Sequence, residues 1–140
     1  MVPERSSAYL AAATEGVVIF DGAMGTNLQL AGLGPDDFGG PELEGCNELL
    51  VLTRPDVVEG IHRSFLEVGC DVVECDAFGA FAPVLAEYGQ AHRVREINLA
   101  AATLARRAAD DFATAERPRW GAGNLGPGTK FPTLGQIRYA

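Results

Sequence analysis

Asp21, Asp76 and Asn124 each follow a short apolar stretch directly, in the junctions Asp21-Gly22, Glu74-Cys75-Asp76 and Asn124-Leu125-Gly126. A carboxylate can receive an ammonium group, and the bare N–H groups of a loop such as Gly22-Ala23 can receive a carboxylate. Aimed at one place, the three junctions suit a small zwitterionic ligand. Any one of them alone reads as a turn, since Asp and Gly end strands readily. Their repetition is what points to a site.

The remaining reactive side chains carry weaker signals. Cys70 and Cys75 straddle a short apolar run and match no zinc-ligand spacing. Together with Cys46 they read as buried small hydrophobes. An odd number of cysteines, too few for a disulfide scaffold, favours a reducing cytoplasm. His62 and His92 are isolated from any Cys or Ser partner and read as surface or packing histidines. No Gly-x-Ser-x-Gly elbow and no His-Glu-x-x-His pair is present. Gly121-Ala122-Gly123-Asn124-Leu125-Gly126 spells G-x-G-x-x-G, but Pro127 and Gly128 follow where a nucleotide-binding helix should open. Gly128-Thr129-Lys130 lacks the residue order of a P-loop.

The elements that must hold these junctions follow from periodicity. Residues 1–16 form a polar, Ala-rich lead-in with room for a short helix. Val17-Val18-Ile19-Phe20 is a continuous apolar run, as expected of a strand buried on both faces. Residues 32–47, rich in Gly and Pro, predict a long irregular loop. Thr53-Arg54-Pro55-Asp56 opens a helix, with Thr53 as cap, Pro55 in the first turn and Asp56 at the positive end of the dipole. Val57, Val58, Ile61, Phe65 and Leu66 share one face of it, and Gly69 suits a left-handed C-terminal cap. Asp71–Cys75 is the second strand. Val94, Ile97, Ala101, Leu104, Ala105 and Ala108 mark the next helix, and Trp120–Gly123 the third strand. Strand, loop and helix, strand, helix, strand predicts a parallel sheet with right-handed crossovers. In such folds chemistry gathers at the carboxyl ends of the strands, where Asp21, Asp76 and Asn124 stand.

Composition sets bounds on this reading. The 140 residues carry 11 Lys and Arg against 19 Asp and Glu, a net charge of −8, and 47% are apolar. This is the make-up of one globular domain. An acidic chain with no basic stripe argues against nucleic acid and against an anionic membrane as partner. No apolar run reaches the roughly 18 to 20 residues of a spanning helix.

Several of these segments also occur, in order, in a known family. Asp21-Gly22-Ala23-Met24-Gly25-Thr26, Glu44-Gly45-Cys46-Asn47-Glu48, Thr53-Arg54-Pro55-Asp56 with Ile61-His62-Arg63, and Gly126 through Gly135 resemble the homocysteine-binding domain of cobalamin-dependent methionine synthases. The likeness runs from about Val17 to the last residues. It implies a (β/α)8 barrel, of which residues 17–140 supply about the first three βα units, truncated after the third strand. It implies methyl transfer from methylcobalamin, recharged from methyltetrahydrofolate, to homocysteine held by zinc. Asp21 is then the partner of the substrate ammonium, Gly22 and Ala23 contact its carboxylate, and Asp76 and Asn124 line the same substrate pocket. The zinc-binding cysteines of that family come from late strands, and Cys46, Cys70 and Cys75 match none of them. A whole barrel takes about 250 residues. The expectation is therefore an N-terminal piece, ending at Arg138-Tyr139-Ala140 without a helix stop, inactive alone and binding no cofactor by itself, with folate and cobalamin domains downstream. Cobalamin-independent homocysteine S-methyltransferases of the betaine or S-methylmethionine type, and a stand-alone flavodoxin-like binding module, are the alternatives.

Two departures from the family pattern stand out. The segment usually read Glu-Thr-Asn-Thr-Phe-Gly is here Glu74-Cys75-Asp76-Ala77-Phe78-Gly79, which adds a charge and removes a hydroxyl. Gln136 stands where close relatives tend to carry histidine.

Overall fold

The computed structural model describes residues 4–130 and 132–136. Phe131 of the last motif and the Arg138-Tyr139-Ala140 ending lie outside the described residues. The lead-in forms helix α1 (Glu4–Glu15). Three segments then lie side by side and run parallel: residues 17–20, β1 (Val72–Glu74) and β2 (Trp120–Ala122). They follow one another across the sheet in sequence order, with register Val72 to Trp120, Val73 to Gly121 and Glu74 to Ala122.

The first of the three departs from expectation. Residues 17–20 make a single bridge, Phe20 to Val72, rather than a doubly covered strand. Val17 is 89% exposed and Ile19 51%. The apolar run has the composition of an interior strand, but among the described residues it meets a neighbour on one side only. Its hydrogen bonds all go to the stretch around β1: the Ile19 carbonyl accepts from Asp71 and Val72, and Asp21 N–H donates to the Val72 carbonyl.

Alternation along the strands gives the sheet two faces. Phe20, Val72 and Trp120 occupy paired positions on one face. Tyr9 of α1 covers them, meeting Phe20 and Trp120 edge-on at 6.4 and 5.7 Å. Val73, from the other face, joins the helical core. That core is built by α5 (Pro55–Glu67) and α7 (Val94–Phe112), which pack on each other and on the strands. Val58, Ile61 and Leu66 of α5 face Ile97, Ala101, Leu104 and Ala105 of α7 within it, as the periodicity predicts. Gly69, at φ 107°, ends α5 in the left-handed conformation expected of it. Glu59 ties the two helices on their outer side by pairing with both Arg63 and Arg107.

Residues 32–47 are more ordered than their glycine content predicts. After α2 (Met24–Leu30) come α3 (Pro35–Phe38) and short 3-10 turns at Pro41–Leu43 and Asn47–Leu49, then α4 (Leu50–Thr53). Phe38 and Cys46 anchor this stretch in the core. Arg54 fixes its outer side, reaching Asp37 at 2.5 Å and Asp56 at 2.8 Å. Thr53 does not cap α5. Its hydroxyl donates back to the Leu49 carbonyl at 3.2 Å, and Arg54 takes the cap position, its side chain bonding the Asp56 carboxylate rather than capping the helix backbone. The Thr-Arg-Pro-Asp motif is thus a clamp rather than a capping box. Helix α6 (Ala82–Leu85) and two further 3-10 turns lead from β1 to α7.

Candidate functional site

A cavity of about 300 Å³ opens at the carboxyl ends of the three parallel segments. Asp21, Gly22, Ala23, Asp76 and Asn124 all line it. The structure therefore brings the five sequence-derived positions together, because each lies within three residues of the end of its strand segment and all three segments point the same way.

Asp21 is held by its neighbours. Its Oδ1 accepts the Glu74 N–H at 2.9 Å, tying the end of the first segment to the end of β1. Its side chain is buried, and Oδ2 lies 3.8 Å from Nδ1 of His62 on α5. Ala23 has φ 53° and ψ 30°, the one non-glycine residue at positive φ among the described residues. Backbone held in that conformation costs free energy and recurs at ligand sites.

Asp76 is 8% exposed, and its Oδ2 meets no hydrogen-bond partner among the described residues. Burial, reinforced by the negative Glu48 nearby, pushes its pKa up to about 7. Asn124 likewise carries a buried Oδ1 without a partner. Two oxygen acceptors in the cavity wall are therefore unfilled, which is uncommon for buried polar atoms. Glu48 and Glu74 add further carboxylates, and no Lys or Arg lies among the lining residues. The chemistry of the wall calls for a ligand group rich in N–H donors.

Glu48 received no role from sequence reasoning, although it closes the Glu-Gly-Cys-Asn-Glu motif. Its Oε1 accepts the Gly79 N–H at 2.9 Å and so ties the turn before α4 to the loop after β1. His62 was read as a surface or packing residue. It is fully buried, but beside Asp21 rather than in purely apolar company. The third glycine of the rejected G-x-G-x-x-G run has a packing reason. Gly126 N–H donates to the Phe78 carbonyl at 2.8 Å, and a Cβ there would stand 2.7 Å from that oxygen. Close approach of two loops, not a phosphate, requires it.

The family model of homocysteine S-methyltransferase matches residues 18–139. The chain belongs to the homocysteine S-methyltransferase family. It is 50% identical over 124 residues to the methionine synthase of Mycobacterium tuberculosis strain ATCC 25618 / H37Rv. It is 49% identical over 123 residues to that of Mycobacterium leprae strain TN. The matches cover 89% and 88% of this chain but 10% of each relative. Among solved structures, the metallated form of the homocysteine methyltransferase MmuM from Escherichia coli superposes with a TM-score of 0.65 at 19% identity. That match covers 84% of this chain and 40% of the other, and it supports the fold alone.

Membership in a homocysteine S-methyltransferase family raises the question of zinc. Cys46, Cys70 and Cys75 are all buried free thiols. Burial pushes Cys46 and Cys75 up to about 11, and Cys70 upward as well. Zinc needs thiolates, and these sites disfavour them. Among the described residues no group of three His, Cys, Asp or Glu is placed to hold a metal ion. The three cysteines do not fit a zinc site.

Proposed function

We propose that this chain forms the first wall of the homocysteine site of a methionine synthase, the first three βα units of a (β/α)8 barrel. The sequential parallel order of the three segments supports the barrel reading. The observation that carries the function is the convergence of Asp21, Asp76 and Asn124, all acceptors, on one cavity. Asp21 receives the substrate ammonium. The N–H groups around Gly22 and Ala23 receive its carboxylate, where the chain turns into α2. Asp76 and Asn124 complete the polar wall.

The whole polypeptide transfers a methyl group to the homocysteine sulfur, giving methionine. The zinc that holds the sulfur as a thiolate, the methylcobalamin and the methyltetrahydrofolate belong to parts beyond these residues. This chain's share is to bind and orient the amino-acid end so that the sulfur faces outward. The small share of each mycobacterial relative that is covered supports further domains as partners. Three free, buried cysteines support a place in a reducing cytoplasm. Among the described residues no helix is long and apolar enough to cross a membrane.

Asp21→Asn in the natural polypeptide is the test. It keeps size and removes charge, so homocysteine affinity should fall by roughly 1.5 to 3 kcal/mol, the scale of a charge-assisted hydrogen bond. Calorimetric titration reads this directly. Unchanged affinity would remove Asp21 from the site and the reading with it.

A further inference from the structure

His62 is a buried polar group that nothing above employs. It is fully enclosed, and neither ring nitrogen has a hydrogen-bond partner among the described residues. Its companions on the buried face of α5 are Val58, Ile61 and Leu66, so an aliphatic residue would fill the slot without desolvating an imidazole. The carboxylate Oδ2 of Asp21 stands 3.8 Å from Nδ1, just beyond hydrogen-bond reach. The other oxygen of Asp21 is committed to the Glu74 N–H.

We propose that His62 is the positioning residue for Asp21: with its proton on Nδ1, the ring backs Oδ2 from beneath and holds the carboxylate toward the cavity when a ligand ammonium arrives. This rests on the reading that Asp21 receives that ammonium. The geometry is that of a three-member chain, ligand N–H to carboxylate to buried imidazole. Contacts of this kind are often long in the free protein and tighten in the complex. The tautomer follows from the same contact, since the nitrogen facing the carboxylate is the one that carries the proton. A shift of less than 1 Å in either side chain would bring the pair from 3.8 Å to about 3 Å.

The experiment compares homocysteine affinity in the natural polypeptide for His62→Asn, His62→Gln and His62→Leu, each alone and combined with Asp21→Asn. An Asn amide places an N–H near the position of Nδ1; a Gln amide places it near Nε2 instead. The expected result is near-normal binding for His62→Asn and a dissociation constant about tenfold higher for His62→Gln and His62→Leu. In the Asp21→Asn background the His62 changes should have almost no further effect, because a residue acting through Asp21 has nothing left to act on. A His62 effect that persists undiminished beside Asp21→Asn overturns the proposal and makes His62 a packing residue. So does equal binding by all three single variants. If Asp21→Asn alone leaves affinity intact, the site reading falls first. If Asp21→Asn weakens binding and the His62 changes do not, only the positioning role falls.

Discussion

Asp76 shows how one substitution sets a pH dependence. Its pKa in the fold is about 7, against an ordinary 3.8, because burial and Glu48 disfavour the charge. Below the unfolded value the carboxyl is protonated in both states and contributes nothing. As pH rises from about 4 to 7 the unfolded chain releases this proton while the fold retains it, so stability falls. Above pH 7 the loss is complete and amounts to roughly 4 kcal/mol. Asp76→Asn removes that loss. Urea denaturation should therefore show the variant gaining on the natural protein by roughly 3 kcal/mol between pH 5 and pH 8. Parallel stabilities across that range would mean that Asp76 ionises normally. The convergence of Asp21, Asp76 and Asn124 on one cavity was legible in the sequence because they sit near strand ends, where position along the chain and position in space coincide. Glu48 and His62 were not. Glu48 reaches the cavity from a 3-10 turn, and His62 lies fully buried on a helix face behind Asp21, brought there only by the packing of α5.

At the scale of elements, Arg54 joins pieces that the glycines of residues 32–47 would leave loose. It holds Asp37, whose carboxyl is kept below its usual range by the Gly34 N–H and by Arg54 itself. It also makes a two-pronged contact with Asp56 in the first turn of α5. Arg54→Ala should speed amide exchange at Gly34 and at Cys46, while leaving Val73 in the sheet protected. Arg54→Lys should restore little, since a single ammonium does not span two carboxylates as a guanidinium does. Equal exchange in all three proteins would reduce the clamp to surface decoration. The helices α5 and α7 were legible from their 3.6-residue pattern, down to the face each buries. Residues 32–47 were not, because Gly and Pro signal turns without saying whether the turns close on themselves. Phe38 and Cys46 decide that, and a lone apolar residue between glycines carries no period. The run at Val17–Phe20 misled in the opposite direction: its composition describes a strand with neighbours on both sides, and composition cannot say which neighbours are at hand.

For the molecule as a whole, edges and charge act against each other. Among the described residues, the sheet has residues 17–20 on one side and β2 on the other, each paired with β1 alone. Unpaired N–H and C=O groups line such edges and template association with another chain. Val17 and Ile19 add exposed apolar surface at one edge, and Leu125 does so near the end of the other. Tyr9 packs on Phe20 and Trp120 at one sheet face. Against this stands a net charge of −8, which keeps copies apart at low ionic strength. At 0.01 M salt the screening length is about 30 Å, comparable with a small domain, and at 0.15 M about 8 Å. The 140-residue chain expressed by itself should therefore be mostly dispersed at low salt and should self-associate as salt rises, without methyl transfer in either state. Sedimentation velocity across that salt range, with an apolar dye to report exposed surface, reads both tendencies. Replacing Ile19 by Lys would place a charge on the open edge and should hold the chain dispersed at 0.15 M salt. A chain that stays monomeric at every ionic strength, melts cooperatively and methylates homocysteine unaided would show that these three parallel segments already form a complete enzyme.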